Sequence, residues 1–468
     1  MTAGGTAWRW CVVLIPGTLL YAMPLAGFDP AQRHLLAVFV ATIIALVAQP
    51  VPMGVAALAA VSLLAVTRTL EPARVLAGFG DTTVWLVFSA FLLALAVTIT
   101  GLGSRIAYGC IQRFGRGPLS LGYSLAAAGL TLAPFVPSDT GRGGGILFPI
   151  TRSIAQAMGS EPGSSSGRIG RFLTLVAFHA NYTASAMFLT AMAANPLIAA
   201  FVRDAGLVQM TWAQWAMGAL VPGLLSLAIV PLVIRALHPP ESHDVRPARL
   251  LARAQLAARG PMTRGERLLA LVLLGVMSAW VTQPWHHLHP TVVALCGVTS
   301  LLILRVMTWQ DLLSETRAWD ALVWFASLVM MASELNKAGV IAILSKTFFS
   351  ELVGLPWIAT LVLLAVGYFY IHYAFASLTA HVTALYPAFL AAAVAADVPP
   401  LLAAMPLAYF SSLNAGLTHY STGSAPVFFA GGYVSQGDWW RTGLIVSLVN
   451  LVLWLGVGMA WWKVLGWW

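Results

Sequence analysis

Two short polar segments interrupt long apolar stretches of this chain at equivalent positions. Ser138-Asp139-Thr140 and Ser377-Leu378-Thr379 are 239 positions apart, and Val84-Trp85 recurs at the same spacing as Val323-Trp324. The repetition indicates that one structural unit is used twice. Because each copy places hydroxyl groups at a break in a hydrophobic stretch, the pattern is typical of a solute site between two repeats at membrane depth.

The composition predicts a chain that is surrounded by lipid. Hydrophobic residues make up 59% of it and charged residues 9%, whereas a soluble domain carries about 25% charged residues. The net charge of +9 does not predict nucleic-acid binding, because the arginines cluster in short loops between apolar segments, as the positive-inside rule requires.

Apolar stretches of about 20 residues predict transmembrane helices. The predicted helices are 8–25, 32–48, 51–67, 83–103, 171–202, 213–237, 267–283, 291–307, 319–338, 400–436 and 440–466. Two other blocks, 119–158 and 354–396, contain two short apolar arms around a break rich in Gly, Ser, Thr or Pro. Unpaired backbone is unfavourable in hydrocarbon, so each break must line a cavity or be buried in protein. We interpret both blocks as re-entrant helical hairpins.

Charge sets the predicted orientation. Arginines fill the loop 238–266 and flank the first hairpin, which places both on the cytoplasmic side. Counting the helices then puts the second hairpin on the outer side, the N-terminus in the cytoplasm and the C-terminus outside. The predicted fold is an all-α polytopic membrane protein with about eleven transmembrane helices and two opposed re-entrant hairpins in an inverted repeat.

Hydroxyl groups, backbone amides and helix N-termini can replace the water shell of a small anion. Ser138 and Thr140, followed by a glycine-rich turn, provide one such set, and Ser377 and Thr379 provide the other. A single Ser-x-Thr in a membrane helix is weak support, because its hydroxyls often bond the preceding turn. Two such motifs at matched repeat positions favour a binding site.

Each hairpin is followed by a helix with a break of its own. Thr190 and Asn195-Pro196 mark the first break, and Thr422-Gly423-Ser424-Ala425-Pro426 marks the second. Proline removes a backbone donor and disfavours helix at the residue before it. Broken helices expose carbonyl groups for cations and amide groups for anions.

Arg142, Asp139 and four histidines (His179, His372, His381 and His419) are the ionisable side chains near these breaks. Arg142 is two residues beyond the first tip, at membrane depth. A charged residue there indicates a function, and pairing with Asp139 or with hairpin carbonyls is the structural alternative. Asp139 repels an anion unless it is protonated, paired with Arg142 or holding a cation. His381, two residues past Thr379, is the best candidate for a substrate contact or a proton-sensitive group.

Motifs for catalysis are missing from the sequence. It has no nucleotide-binding loop, no zinc-ligand pair on a helix and no Gly-x-Ser-x-Gly turn. We therefore predict that the chain is not an enzyme and that a solute gradient drives it. A membrane-embedded enzyme or sensor and a passive channel are the alternatives from other classes.

At these residues the sequence resembles the divalent anion:sodium symporter (DASS) family. The similarity is to the branch of bacterial citrate/succinate and tartrate/succinate antiporters and plastid 2-oxoglutarate/malate translocators. It is sharpest in four segments: FVPSDTGRGGGILFPI, TASAMFLTAMAANPL, HYAFASLTAHVTALYPAFLA and SSLNAGLTHYSTGSAPVFFAGGYV.

The resemblance implies a homodimer in which an elevator-like transport domain moves against a scaffold. The implied segments are scaffold 1–118, first hairpin and transport helices 119–237, basic linker 238–266, scaffold 267–353, and second hairpin and transport helices 354–468. The implied substrate contacts are Ser138, Asp139, Thr140, Asn195, Pro196, Ser377, Leu378, Thr379, Thr422, Gly423, Ser424 and Pro426. In sodium-coupled members, ions would lie near Ser138, Thr190, Ser377 and Thr422, and no other cofactor is expected.

The chain departs from the family pattern at three places. The usual Asn of the first tip is Asp139, the middle of the second tip is Leu378, and the common Tyr-Gly-Thr-Gly-Pro-Ala-Pro is Tyr-Ser-Thr-Gly-Ser-Ala-Pro at 420–426. We predict an exchanger of small carboxylates (succinate, malate, 2-oxoglutarate, tartrate or citrate type) in the bacterial inner membrane. Sodium symport, or an arsenite- or cation/proton-type permease of related architecture, are the alternatives.

Overall fold

The computed structural model describes residues 3–25, 27–349 and 354–468, and these residues form helices without any strand. Parts of the predicted segments 1–118 and 267–353 therefore lie outside the described residues. Many helices begin as the sequence dictates. Asp29, for example, caps α2 through the backbone amide of Gln32, and Pro30 takes the first helical position, where a missing N–H costs nothing.

Residues up to 237 contain the first repeat. Its helices are α1 (Ala3–Ala22), α2 (Pro30–Ala48), α3 (Met53–Val66), α4 (Pro72–Val75), α5 (Thr82–Thr100), α6 (Leu102–Phe114), α7 (Pro118–Leu132), α8 (Asp139–Arg142), α9 (Phe148–Ala157), α10 (Gly170–Met187), α11 (Ala194–Asp204) and α12 (Trp212–Leu237). A π-helical stretch, Gly143–Leu147, joins α8 to α9.

A basic linker helix and the second repeat follow. These helices are α13 (Arg246–Arg259), α14 (Arg264–Val281), α15 (Gln283–His286), α16 (Pro290–Ile303), α17 (Trp309–Ser314), α18 (Thr316–Lys337), α19 (Val340–Phe349), α20 (Trp357–Tyr370), α21 (Leu378–Ala395), α22 (Pro400–Leu413), α23 (Ala425–Ala430), α24 (Gln436–Val452) and α25 (Met459–Val464). A second π-helical stretch, Leu453–Gly458, joins the last two.

Length and composition make seven helical segments of the described chain able to cross a membrane. They are Pro30–Ala48, Thr82–Thr100, Trp212–Leu237, Thr316–Lys337, Trp357–Ala374, Leu378–Ala395 and Gln436–Val464. Three shorter apolar helices accompany them: Trp8–Ala22, Met53–Val66 and Pro290–Ile303. The prediction of an all-α polytopic membrane protein is confirmed.

Two predicted long helices are each divided, because their polar and proline-containing sequences do not continue a helix. The predicted helix 171–202 becomes α10 and α11, and 400–436 becomes α22 and α23. The two arms of the second interrupted block, Trp357–Ala374 and Leu378–Ala395, are each 18 residues long. Length alone does not distinguish a re-entrant hairpin from two crossings, so the re-entrant path stays a prediction.

Two helices at equivalent places in the repeats form the centre of the molecule. All residues of α10 from Phe172 to Met187 and all residues of α22 from Leu402 to Leu413 are buried. The two helices pack against each other. Polar side chains on a helix that is buried on every side must find their hydrogen-bond partners inside the protein. Each central helix runs into one of the breaks that follow the hairpins, so the breaks are held in the interior.

The linker helix α13 lies on protein. Its buried residues, Ala248 and Ala252, face α6 and α9, while its arginines are exposed. On α6, Arg105 donates to the Glu266 carboxylate at 2.6 Å and to the Gly260 carbonyl at 2.9 Å, which ties the end of the linker to the first repeat. The small-residue face of the helix explains this close packing.

Candidate functional site

The two Ser-x-Thr tips have the same local structure. After each first arm the chain forms a 3-10 turn, Ala133–Phe135 or Ile371–Ala374, then extends and starts a new helix at the serine. Ser138 Oγ accepts from the Gly141 amide at 3.0 Å, and Ser377 Oγ accepts from the Ala380 amide at 3.3 Å. Both hydroxyls act as acceptors in these caps, so their protons can still be donated to a ligand. The 239-residue spacing therefore holds for conformation as well as for sequence.

Asp139 joins the first tip to the second repeat. Its buried carboxylate oxygen Oδ2 accepts from Thr422 Oγ1 at 2.6 Å and from Ser424 Oγ at 2.9 Å. Both hydroxyl protons are used in these bonds. Thr422 and Ser424 therefore hold the first tip in this structure and have no proton left to donate to an anion.

The segment 420–424, which we call the junction loop, contacts both hairpins. Gly423 packs so closely on the first tip that a Cβ atom there would lie less than 3.0 Å from Thr140 Oγ1. On the other side, His372 Nε2 donates to the Ser421 carbonyl at 2.9 Å. The structure thus places both hairpins against one short loop, as expected for a site made by two repeats.

Arg142 is completely buried and uses every N–H it has. Its five bonds run from Nε to Asn181 Oδ1 (2.9 Å), from Nη1 to the carbonyls of Val136 (2.9 Å) and Ala191 (3.2 Å), and from Nη2 to the Asn181 carbonyl (3.0 Å) and Ser185 Oγ (2.6 Å). A guanidinium group has five N–H donors, so none is left for a substrate. Arg142 connects the first tip to the break after α10 instead.

His381 is the repeat counterpart of Arg142, at the same 239-residue spacing. Its Nδ1 accepts from the Asn414 amide at 3.2 Å, as Arg142 pairs with Asn181 in the first repeat. The ring lies 4.4 Å from the Tyr368 ring and 4.9 Å from the His372 ring, measured between centroids. Both residues were predicted from the sequence as candidates, but their equivalence in the two repeats was not.

Several buried polar atoms of the second repeat have no hydrogen-bond partner in the described chain, whereas every N–H group of Arg142 in the first repeat has one. His381 Nε2, His372 Nδ1, Asn414 Oδ1 and Thr418 Oγ1 are buried and have no hydrogen-bond partner among the described residues. Buried polar groups normally find a partner. These atoms give the second half-site capacity for water, a proton or a ligand.

Two of the predicted residues stabilise the first break. Thr190 Oγ1 donates to the Pro134 carbonyl at 2.6 Å and accepts from Trp212 Nε1 at 3.1 Å. The Asn195 amide donates to the carbonyls of Ser185 and Phe188, both at 2.9 Å, and leaves Oδ1 buried without a partner in the described chain. Both side chains therefore fix the backbone of the break.

The remaining predicted residues are in different surroundings. The Leu378 side chain is buried in the hydrophobic core, whereas Thr379 is half-buried and Pro426 is exposed. Pro196 lines a separate small cavity that also touches Arg203 and Gln209. The structure does not bring Pro196 or the Leu378 side chain to the cavity beside the first tip.

A cavity of about 500 Å³, here called the vestibule, leads to the first tip. Its lining residues are Met53, Phe91, Thr98, Ser138, Thr140, Gly141, Gly144, Gly145, Ile146, Arg317, Asp320, Ala321, Trp324 and Val427. It lies between the first hairpin and the helices α3, α5 and α18. Of the two tips only the first lines it, so the vestibule gives access from the side of the first hairpin.

Two repeats around a polar junction in a helical membrane protein are typical of a transporter. The family described as "Sodium:sulfate symporter transmembrane region" matches residues 6–468. The chain therefore belongs to this family, the divalent anion:sodium symporters, as its motifs predicted. The prediction that it is not an enzyme is confirmed.

Named relatives and one solved structure are similar along nearly the whole chain. "Putative malate transporter YflS" of Bacillus subtilis is 46% identical, over 98% of this chain and 96% of the relative. "Dicarboxylate transporter 1, chloroplastic" of Spinacia oleracea is 42% identical, over 97% of this chain and 81% of the relative. The YdaH transporter of Alcanivorax borkumensis, whose structure has an unusual topology, superposes with a TM-score of 0.63 at 16% identity, over 98% of this chain and 97% of that chain. At this identity the last similarity shows the fold alone.

Several residues of the site were not predicted. Asn181 and Ser185 bind Arg142, Asn414 binds His381, and Ser421 binds His372. Asn181 lies in the buried helix α10, and Asn414 lies directly after the buried helix α22, each a few positions before a break. A buried amide in such a place needs a partner, and this signal could have identified both.

Proposed function

We propose that this protein exchanges small dicarboxylates of the malate, succinate or 2-oxoglutarate type across a membrane. The names of two relatives, a putative malate transporter and a dicarboxylate transporter, support this substrate class. Ser138, Thr140, Ser377 and Thr379 would bind the carboxylates, because Ser138 and Ser377 keep a hydroxyl proton free beside a helix N-terminus.

The surroundings of Arg142 support exchange without a sodium ion in the first half-site. Its guanidinium is enclosed by oxygen atoms from the hairpin, from α10 and from the break. A hard cation such as sodium requires a similar set of oxygen ligands. A permanent positive charge already connects these elements, so a soluble cation is not required there, and Arg142 is the observation that carries this proposal.

Counterflow in liposomes tests the proposal. Purified protein is reconstituted into vesicles loaded with malate, and uptake of labelled succinate, malate or 2-oxoglutarate is measured in sodium, potassium and choline buffers. We expect uptake that depends on internal dicarboxylate and is equal in the three buffers. Empty liposomes and vesicles loaded with sulfate are the controls.

Sodium symport would give a different pattern. Uptake that occurs without internal dicarboxylate and increases with external sodium would mean that the protein is a sodium symporter and not an exchanger. Absence of counterflow with every tested dicarboxylate, from protein that is folded and monodisperse, would reject carboxylate transport altogether.

The substitution Asp139→Asn distinguishes an anion carrier from the alternative permease. The carbonyl oxygen of the introduced asparagine can still accept from Thr422 and Ser424, while one negative charge next to the anion site is lost. We expect transport to persist and the half-saturating concentration of dicarboxylate to fall about three- to tenfold, because a like charge nearby weakens anion binding.

The contrast is Asp139→Leu, which removes the acceptor and leaves two buried hydroxyls without a partner. We expect this variant to lose transport, because a buried unpaired polar group is unfavourable by about 1–3 kcal/mol each. If Asp139→Asn also abolishes transport in folded protein, the carboxylate carries an ion, as an arsenite- or cation/proton-type permease requires.

We further infer an elevator movement in a homodimer in the bacterial inner membrane. The two hairpins with α10, α11, α12, α22, α23, α24 and α25, called the moving group, would shift against the remaining helices, called the static group. The shared packing of both hairpins on the junction loop supports movement as one body. The exposed arginines of α13, Arg246, Arg249, Arg253 and Arg259, support a cytoplasmic linker. The predicted orientation of the termini follows from this placement.

A further inference from the structure

We propose that Arg203 and Asp81 form a clasp that holds the carrier with its vestibule open on the side of the first hairpin. The proposal rests on the exchange cycle proposed above and adds a conformational role for residues away from the substrate site. The main contact of the clasp is an ion pair between a helix of the moving group and a helix of the static group.

Arg203, near the end of α11, is bound at three points. Its Nη2 donates to Asp81 Oδ2 at 2.9 Å, its Nη1 to Thr83 Oγ1 at 3.3 Å, and its Nε to the neighbouring Asp204 at 3.0 Å. Asp81 also caps α5 through the Thr83 amide at 2.7 Å. The carboxylate is thus held rigidly by α5 while it binds a cation from α11.

A second static helix joins the clasp one residue further on. The Asn336 amide, near the end of α18, donates to the Asp204 carbonyl at 2.6 Å. The end of α11 is therefore fastened to both α5 and α18. These two helices also form a wall of the vestibule, at their opposite ends.

The helix lengths put the clasp and the vestibule on opposite sides of the molecule. Thr98 of α5 and Arg317 of α18 line the vestibule. Along each helix axis they are about 25 Å from Asp81 and about 28 Å from Asn336, at the usual rise per residue. One end of each static helix is hydrogen-bonded to α11 beside two smaller cavities, of about 260 and 60 Å³. The other end is separated from the first hairpin by the larger vestibule.

The inverted repeat supplies a second carboxylate at the equivalent position. Asp320 follows Asp81 at the 239-residue spacing and lines the vestibule. Among the described residues it has neither a hydrogen-bond nor an ion-pair partner. The carboxylate on the closed side is engaged and its counterpart on the open side is not, as expected if closure of one side is stabilised by such a pair.

The test measures access to the vestibule and does not depend on transport. Thr98→Cys is placed in protein whose Cys11, Cys110 and Cys296 are replaced by serine, and the labelling rate with a membrane-impermeant maleimide is measured in detergent-free vesicles. For Arg203→Gln we expect labelling to slow about three- to tenfold, because loss of a partly exposed, hydrogen-bonded ion pair shifts the population by that order.

The matched control is Arg74→Gln. Arg74 pairs with Glu334 between two helices of the static group, so labelling should stay unchanged. The charge exchange Asp81→Arg with Arg203→Asp should recover part of the parental rate, although it removes the cap of α5. Asp81→Asn, which keeps the helix cap, replaces Arg203→Gln if the latter is unstable. Equal labelling of the parent and both clasp variants, or an equal effect of Arg74→Gln, would overturn the clasp. Absence of counterflow in the parental protein, with the labelling pattern expected for the clasp, would instead reject the proposed transport and leave the clasp in place.

Discussion

Arg142→Lys will abolish dicarboxylate exchange, with a loss of more than about 100-fold, and will lower the thermal stability of the protein. Lysine keeps the charge but has three donors for the five oxygen acceptors that surround Arg142. At least two buried acceptors lose their partner, and breaking such a buried network costs about 3–5 kcal/mol. Counterflow and a melting curve in detergent measure the two effects.

The control for this substitution is Arg152→Lys. Arg152 lies on α9 of the same hairpin and is exposed, so exchange and melting temperature should match those of the parent. Normal exchange in Arg142→Lys would mean that a positive charge alone is sufficient. The proposal that the five hydrogen bonds of Arg142 hold the first half-site together would then be wrong.

Gly423→Ala will have the second largest effect and reduce exchange by about 10- to 100-fold. The added Cβ would lie less than 3.0 Å from Thr140 Oγ1, closer than any tolerated contact, so the first tip or the junction loop must move. Because binding of both carboxylates requires fixed distances, a small displacement of one tip weakens the whole site. Initial rates of counterflow over a range of malate concentrations measure the loss.

Gly437→Ala serves as the comparison for Gly423. Gly437 is on α24, and a Cβ there meets no atom within 4 Å, so alanine should leave exchange unchanged. If Gly423→Ala is as active as Gly437→Ala, the contact between the junction loop and the first tip is not part of the transport site.

The general architecture could be predicted from the sequence because its signals are local. Long apolar stretches define membrane helices, and proline with polar residues defines their breaks. The serine caps at Ser138 and Ser377 also follow from local chemistry, since serine is a preferred N-cap residue. These features do not require knowledge of which helices touch.

The network of contacts could not be predicted, because it depends on tertiary packing. From the sequence, Arg142 had two roles open to it, a functional charge or a structural pair, and only the positions of α10 and its break show that five neutral groups surround it. Thr422 and Ser424 were predicted to contact substrate, whereas their hydroxyls bind Asp139. Spacing along the chain indicates a likeness between repeats, and it does not indicate how side chains cross from one repeat to the other.

The hydrogen bond between Ser424 and Asp139 connects two places where this chain differs from the common pattern of its family. Serine stands where proline is usual and aspartate where asparagine is usual, and the serine hydroxyl donates to the carboxylate at 2.9 Å. Proline has no side-chain donor, so Ser424→Pro alone would leave the aspartate with one hydroxyl donor fewer, whereas Asp139→Asn alone would keep an oxygen acceptor for the serine. The serine hydroxyl thus compensates a buried charge that the usual pattern lacks, and we expect Ser424→Pro to be tolerated better together with Asp139→Asn than alone.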